Sequence, residues 1–232
     1  MRYFILILFL AVSLFCKAQI FLDDVDHSRL VNKEVGKYLK KQMDNNILKF
    51  TDVRPSLKPG EEISGYKKQI LEYSFRGSMD QLWDHYLSTT ARKVWDCGRI
   101  TLNLLFSGKD ESLFYNDNAE EYLEPNQLVF LTLNFLNGIV RLPMSFIITS
   151  IDRETNTIEF SYITGNTAHG KQQLVFLETK KGNARIEHIS YFKSNSFIRD
   201  RILYPYFHKK VTNSFHRNMW KRLKNNSSLR LN

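Results

Sequence analysis

Four segments toward the C-terminal end of the chain alternate between apolar and polar residues, and this pattern constrains the fold most strongly. They read IITSID, TIEFSYI, KQQLVFLE and ARIEHISYF, separated by the turn-forming sequences ETN, TGNTAHG and TKKGN. Because strand side chains alternate with period 2, Ile158, Phe160 and Tyr162 share one face of the second segment. Glu159 and Ser161 lie on the other face. The pattern predicts an antiparallel meander with one buried face and one wet face.

After residue 194 the spacing of the apolar residues changes from two to four. Residues four apart lie along one stripe of an α-helix, and the members of this stripe are Phe207, Val211, Phe215, Met219 and Leu223. Pro205 lacks an N–H group and is favoured at the first helical position. We therefore expect a short helical turn over 197–203 and then a helix of about 19 residues, about 28 Å long, from Pro205. Its stripe must cover an apolar surface.

The first nineteen residues, MRYFILILFLAVSLFCKAQ, have the three parts of a secretory signal peptide. Arg2 is the charged start, residues 3–15 are the apolar run, and Ala18 is the small residue at the expected cleavage site. The sequence thus predicts export, to the periplasm. A membrane anchor is the alternative, but the run has about 13 residues against the roughly 20 that span a bilayer. A lipoprotein with a lipidated Cys16 is less favoured, because its pattern requires a small residue where Phe15 stands.

The chain divides into five predicted segments: signal peptide 1–18, N-terminal helical extension 19–50, linker 51–65, compact domain 66–224 and polar tail 225–232. Apolar residues between 30 and 47 recur at helical spacing, and prolines and glycines mark the linker. Ser78 and Gln81 form a capping box that begins a helix after a first strand. The nearly all-apolar run 127–137 is typical of a strand that is covered on both faces.

The net charge of +9 is concentrated at the C-terminal end. Residues 199–232 contain nine basic residues and one acidic residue, whereas residues 19–198 contain 22 basic and 23 acidic residues. Because an exported chain does not meet nucleic acid, we expect no nucleic-acid partner. Once residues 1–18 are removed, Cys97 is the only cysteine, so no intramolecular disulfide can form. The fold must then be held together by packing.

The order of strand, helix, several antiparallel strands and a long C-terminal helix resembles the helix-grip fold of the START and Bet v 1-like (SRPBCC) superfamily. The resemblance covers residues 69–223 and implies an α+β fold, in which a curved antiparallel sheet wraps around the C-terminal helix. Here it is preceded by an N-terminal helical extension. The resemblance also implies an apolar cavity between sheet and helix that takes an apolar or amphipathic small molecule.

Within that superfamily, the stretch IEFSYITGNTAHGKQQLVF looks like the aromatic-glycine stretch of a bacterial and plant domain of unknown function. Phe160, Tyr162, Gly165 and Gly170 stand in the matching positions. The chain has Ile163 and Thr164 before Gly165, in place of that family's Gly-Thr-Leu run.

The six histidines contain no HExxH sequence and no pair at spacing i, i+4. His208 and His216 are eight residues apart, so on a helix they point about 80° away from one another and do not share a face well. We expect His85 to face solvent. Sequences of the P-loop, GxGxxG and GxSxG types are absent. We therefore expect no metal, no cofactor and no catalytic residue.

His188 is the most informative titratable residue, because the alternation places it on the buried face of the last strand. A polar group there must be hydrogen-bonded or must line a wet cavity. A satisfied core histidine, a polar anchor in a pocket and a catalytic base are the three interpretations. The predicted ligand-binding residues are His188, Tyr162, Phe160 and Arg141, although Tyr162 and Arg141 are equally consistent with a position at the rim.

The basic helix has two interpretations as well. Its charged residues form either an ordinary solvated face or a surface for weak contact with an anionic membrane. The residues concerned are Lys209, Lys210, Arg217, Lys221 and Arg222. Because the apolar stripe serves the core, such contact would be electrostatic and sensitive to salt.

The sequence favours an exported domain that binds an apolar or amphipathic, lipid-like molecule without transforming it. An enzyme of the same fold, such as a cyclase or hydrolase, is the alternative. A structural or interaction protein of the cell envelope, with its cavity filled by its own side chains, is the third hypothesis. Several convergent polar groups in the cavity would favour the enzyme, and a filled interior would favour the structural protein.

Overall fold

The computed structural model of the protein describes residues 19–166, 168–194, 196 and 199–229, so the predicted signal peptide lies outside the described residues. In order along the chain, the helices are α1 (Lys33–Asp44), α2 (Met79–Leu87), α3 (Ala91–Trp95) and α4 (Tyr204–Leu229). The strands are β1 (Lys67–Phe75), β2 (Ile100–Ser107), β3 (Ser112–Tyr115), β4 (Leu128–Phe135), β5 (Val140–Asp152), β6 (Thr157–Tyr162), β7 (His169–Glu178) and β8 (Ala184–Lys193).

The strands form one sheet in the order β1-β8-β7-β6-β5-β4-β2-β3, with every neighbouring pair antiparallel. The predicted meander is present as β5 to β8. The apolar run 127–137 forms β4, which is buried on both faces along nearly its whole length, as expected. Register shifts between Leu102 and Leu104 and between Ile148 and Ser150 mark irregular pairing in β2 and β5, of the kind that bends a sheet.

The C-terminal helix α4 lies against the inner face of this sheet. It starts one residue before Pro205 and follows a wider, π-type helical turn, Arg199–Leu203, within the range 197–203 where the sequence predicts a helical turn. Phe215 and Met219 are buried in the core, and the rest of the predicted stripe packs against it. The α+β architecture of a curved sheet around a long C-terminal helix is therefore confirmed.

A second apolar cluster covers part of the outer face of the sheet. The N-terminal segment contributes Leu22, Val35, Leu39 and Phe50 among others, and these pack on outward side chains of β2, β4 and β5. The ring of Phe50 stacks on Phe106 at a centroid distance of 5.0 Å. The helical extension is thus docked on the sheet. Asn32 is the N-cap of α1, since its side chain accepts a hydrogen bond from the Glu34 N–H.

The expectation that the outer face of β6 is wet was wrong. Glu159 is only 6% exposed, and its carboxylate accepts hydrogen bonds from Lys171 Nζ at 2.6 Å and Gln173 Nε2 at 2.8 Å. Ser161 is fully buried because the segment after residue 52 crosses this strand, where the Leu57 N–H donates to Ser161 Oγ. Burial of these polar side chains is stabilised by pairing, which strand alternation cannot reveal.

The expectation that His85 faces solvent was also wrong. His85 is 6% exposed, and its Nε2 atom lies 2.9 Å from the carbonyl oxygen of Met219. Helix α2 packs against α4, so the face that carries His85 is covered by an element far away in the sequence. No helix among the described residues is both long enough and apolar enough to cross a membrane.

Candidate functional site

A cavity of about 470 Å³ lies between the inner face of the sheet and helix α4. Most of its wall is apolar: β2, β4 and β5 contribute aliphatic side chains, and aromatic rings come from Trp95, Phe146, Phe160, Phe207 and Phe215. Trp95 stacks on Phe215 at a centroid distance of 5.1 Å, and Phe146 contacts Phe160 at 4.9 Å. The wall is therefore suited to an apolar body of small-molecule size.

Six of the polar side chains that line the same cavity belong to β6, β7, β8 and the start of α4. They are Tyr162, Gln172, His188, Tyr204, His208 and Thr212. Period-2 alternation directs Tyr162, Gln172 and His188 inward from three strands, which neighbour one another in the sheet. The cavity thus combines an apolar wall with a polar region.

A continuous chain of hydrogen bonds connects these groups to residues behind the wall. His188 Nε2 lies 2.6 Å from Gln172 Oε1, and because an amide oxygen only accepts, His188 must donate there. His188 Nδ1 then accepts from His216 Nε2 at 2.9 Å, and His216 Nδ1 accepts from the Tyr86 hydroxyl at 2.8 Å. The chain fixes both histidines in a neutral tautomer.

The other end of the chain reaches the two tyrosines. Gln172 Nε2 donates to the Tyr162 hydroxyl at 2.8 Å, and that hydroxyl is hydrogen-bonded to the Tyr204 hydroxyl. His208 joins the same network: its Nε2 lies 3.0 Å from Gln172 Oε1 and 3.1 Å from Ser190 Oγ, and its Nδ1 lies 3.0 Å from Gln69 Oε1. Both ring nitrogens of His208 therefore face the oxygen of a side-chain amide, which only accepts hydrogen bonds.

Burial determines the protonation of this network. Desolvation lowers the pKa of His208 to about 3 and that of His216 to about 3, and it lowers the pKa of His188 well below the usual range. Desolvation also raises the pKa of Tyr162 to about 12. At neutral pH the polar region of the cavity therefore carries no charge.

The mouth of the cavity is surrounded by exposed apolar residues. Leu142 on β5 and Leu203 before α4 line it and are 47% and 44% exposed, and Lys41 of α1 adds a basic side chain. The hairpin between β4 and β5 continues the apolar surface with Leu136 and Ile139, which are 66% and 84% exposed. A Phe135–Phe207 contact at 4.5 Å joins this hairpin to α4.

The structure brings three of the four predicted ligand-binding residues together. His188, Tyr162 and Phe160 all line the cavity, and the His188 and Phe160 rings lie 6.1 Å apart. Arg141 is not with them. It lies next to Leu142 on β5 but points to the opposite side of the strand, where it lines a separate polar groove.

The five predicted membrane-contact residues lie on α4, away from its buried stripe. Lys209, Arg217 and Lys221 are exposed, whereas Lys210 and Arg222 are half-buried. The Lys210 ammonium lies 4.2 Å from the centre of the Tyr206 ring, and Arg222 Nε donates to Asn218 Oδ1 at 3.2 Å.

The polar network includes four residues that the spacing along the chain does not identify: Gln172, Tyr204, His208 and His216. An angular estimate on an ideal helix separates His208 from His216, yet both are buried against the sheet. The concave sheet covers a wider arc of α4 than a single stripe, so residues well away from the stripe are enclosed. The wider buried arc of α4 could have been recognised from the sequence only if His208 and His216 had been counted as buried residues.

The arrangement can hold a molecule that has an apolar body and an uncharged polar group. The structure gives no group of three or more His, Cys, Asp or Glu side chains fit to hold a metal among the described residues. His188 and His216 use both ring nitrogens in hydrogen bonds to protein groups, and their low pKa values make them weak bases at neutral pH.

A concave antiparallel sheet that holds a C-terminal helix, with a cavity between the two, defines the helix-grip class, and this protein has that fold. The chain is similar in structure to ginseng major latex-like protein 151 from Panax ginseng. The two share 12% identity and a TM-score of 0.50, covering 68% of this chain and 97% of that one. It is also similar to the KanY protein, at 6% identity and a TM-score of 0.50, covering 69% and 99% of the two chains.

A similarity to norcoclaurine synthase from Thalictrum flavum is also found, at 12% identity and a TM-score of 0.48, covering 72% of this chain and 95% of that one. No protein-family model matches the chain, and no curated protein matches it in sequence. The resemblance to a domain family of unknown function therefore stays a prediction.

Proposed function

We propose that the protein is exported and that it binds an apolar or amphipathic, lipid-like small molecule in the cavity between sheet and helix, without transforming it. The observation that carries this proposal is the cavity of about 470 Å³, whose wall is mostly apolar and whose buried hydrogen-bonded network is uncharged. Its volume lies in the range of small-molecule sites, and a few fixed polar groups among apolar walls are typical of such sites.

The pairing within the polar network favours binding over chemistry. A general base needs a free lone pair and a pKa near the working pH, and His188 has neither. The volume of the cavity argues against the third hypothesis, a structural protein with an interior filled by its own side chains.

An enzyme of the same fold is the second candidate, and the convergence of six polar side chains on one cavity is the observation that favours it. The two candidates differ in the fate of the bound molecule. Native mass spectrometry of the protein purified from its own host would identify the ligand. Incubation of that ligand with fresh protein should return it unchanged, and a product of altered mass would favour the enzyme.

Filling the cavity is the direct test of binding. Val211 of α4 lines the cavity, so Val211→Trp should occupy ligand volume and weaken binding of an apolar fluorescent probe at least tenfold. The matched control is Val175→Trp on β7, because Val175 lies on the opposite face from Leu174 in the core. Equal probe affinity in the two variants, at similar melting temperatures, would contradict the proposal. His188→Phe is a poorer test, since it leaves Gln172 and His216 without their partners.

We further propose weak contact with an anionic membrane through Lys209, Lys210, Arg217, Lys221 and Arg222. The exposed apolar residues around the cavity mouth support this extension, because a ligand taken from a bilayer must enter there. Each basic residue near an anionic surface contributes about 1 kcal/mol, and the contribution falls as salt shortens the screening length.

Cosedimentation with vesicles would test the membrane contact. If the basic residues act alone, binding to vesicles of anionic lipid should disappear between about 0.1 and 1 M salt, where the screening length falls from about 10 to about 3 Å. Binding that persists in high salt, and that is lost in Ile139→Ser, would instead indicate insertion of the apolar hairpin. No binding at low salt would leave the basic residues as a solvated face.

A further inference from the structure

We propose that a second site, on the outer side of the sheet, binds the phosphate or carboxylate group of a small molecule through Arg99 and Arg141. A polar groove of about 590 Å³ lies there, lined by residues of the N-terminal segment, the turn before β2, β2, β4, the hairpin that follows β4, β5 and α4. It is distinct from the apolar cavity, because Thr132 and Asn134 line the groove whereas Leu131 and Leu133 of the same strand line the cavity.

The floor of the groove is a fixed polar surface. Outward side chains of β4 change along the strand from Leu128 and Phe130, covered by the N-terminal segment, to Thr132 and Asn134. Asn32 Nδ2 donates to Thr132 Oγ1 at 3.0 Å, and the buried Asn103 amide donates to the same oxygen at 3.0 Å. Asn134 Nδ2 donates to Thr101 Oγ1 at 2.9 Å. Hydrogen bonds thus hold the floor in place without a ligand.

The two arginines flank Asn134 in one row across the sheet. Asn134 is the register partner of Arg141 on β5, and its N–H donates to the Arg99 carbonyl oxygen at 2.8 Å. Neighbouring strands lie about 4.8 Å apart, so the backbones of the two arginines are about 10 Å from each other. Both side chains line the groove, and their long stems allow the two guanidinium groups to approach one anion from opposite sides.

The charges of this row are not balanced by neighbouring side chains. None of the described residues that line the groove is acidic. The Arg99 guanidinium makes no hydrogen bond or ion pair with the described residues, and Arg141 uses only Nε, which donates to the Gly138 carbonyl oxygen at 3.2 Å. Two acidic residues lie near groove residues in the sequence, but their carboxylates contact other side chains. Glu34 pairs with Lys37 at 2.6 Å, and Asp96 contacts Asn116.

An oxyanion is the chemistry that this arrangement recognises. Two like charges that line one groove repel each other, and an anion bound between them offsets that repulsion. The guanidinium fork donates two parallel hydrogen bonds to a phosphate or carboxylate group, which an ammonium group cannot do. Asn137 and Ser214, which also line the groove, offer further polar contacts.

The test is calorimetric titration with inorganic phosphate and, separately, acetate, at an ionic strength held constant with sodium chloride. We expect saturable binding at one site per chain, weakened at least tenfold in Arg99→Gln/Arg141→Gln. Lys180→Gln/Lys181→Gln, in the exposed turn between β7 and β8, removes the same charge and should bind as the wild type does. Arg141→Lys keeps the charge but not the fork, and it should give an intermediate affinity.

Phosphate binding without acetate binding would assign the site to a phosphate-bearing molecule, and binding of both would extend it to carboxylates. The absence of saturable binding of either anion would overturn the proposal, as would equal weakening in both double variants. If the double arginine variant does not fold, Arg141→Lys decides. Because these titrations use neither the apolar probe nor the cavity, their outcome is independent of the proposed function.

Discussion

The three buried histidines make the stability of the protein depend on pH. They are neutral in the folded chain, with the pKa values of His208 and His216 at about 3, but they titrate near 6.5 when unfolded. Below pH 6.5 the unfolded chain therefore binds more protons, and stability is lost progressively as the pH falls toward 3. It is fully present above pH 6.5.

We expect His208 and His216 together to remove roughly 2 kcal/mol of unfolding free energy between pH 6.5 and 5.5. Urea denaturation at pH 7.5, 6.5 and 5.5 measures this change. His208→Gln keeps a polar side chain that can donate to the amide oxygens around it, so it should fold and show a shallower pH dependence. The exposed His27→Gln is the control, and an equal change in slope in both variants would contradict the assignment.

Gly170 is a position where a single substitution should strongly destabilise the fold. Its φ is +133°, and a Cβ atom there would lie 1.9 Å from the Tyr191 carbonyl oxygen on the neighbouring strand. Gly170→Ala should therefore cost more than about 3 kcal/mol, by melting or urea denaturation, because backbone strain and a clash with fixed backbone combine. Gly60→Ala is the matched control: φ is +79° with no atom within 4 Å, so about 1 kcal/mol is expected. Similar losses in both variants would show that the close strand contact is unimportant.

Among the secondary-structure elements, helix α4 is an integral part of the hydrophobic core and not a peripheral addition to it. Phe215 and Met219 are almost fully buried, and each such side chain contributes about 1.5–3 kcal/mol. A chain that ends at Tyr204 should lose cooperative melting, since these two residues alone approach the net stability of a typical domain, about 5–15 kcal/mol. A chain that ends at Asn225 is the control and should melt like the full length. A truncated chain that still melts cooperatively at the same temperature would refute this prediction.

The N-terminal extension shows the limits of sequence reasoning about elements. Helical spacing predicts a helix between residues 30 and 47, and α1 (Lys33–Asp44) confirms it. The surface that it covers could not be predicted from the sequence. The apolar outer residues of β2 and β4 indicate strands that are buried on both faces, but they do not indicate which segment covers the outer face. The covering segment, residues 22–53, precedes these outer residues in the chain by at least 50 residues.

For the chain as a whole, we predict proteolytic processing at the N-terminus. The tripartite N-terminus predicts that export removes residues 1–18 and leaves Gln19 at the new N-terminus. Intact-mass analysis of the protein from its own host measures this directly, and variants with Arg at position 18 should block cleavage. A chain that retains residues 1–18, or that carries a lipid on Cys16, would contradict the prediction.

The fold class follows from the sequence because it depends on local periodicity. Period 2 in β5 to β8, period 4 in α4 and the position of Pro205 are properties of neighbouring residues, and they suffice to predict a sheet that packs on a C-terminal helix. The same alternation places His188, Phe160 and Tyr162 on the inner face, where they line the cavity. Three members of the candidate site could therefore be predicted from single strands.

Only the tertiary structure decides what those residues meet. The path from Tyr86 through His216 and His188 to Gln172 joins four elements, and no spacing along the chain encodes it. Strand register places Arg141 in one row with Asn134 and Arg99 on the outer side of the sheet. Its neighbour in the sequence, Leu142, lines the cavity on the inner side. Periodicity determines which face a side chain occupies, whereas its partners on that face depend on how distant segments pack.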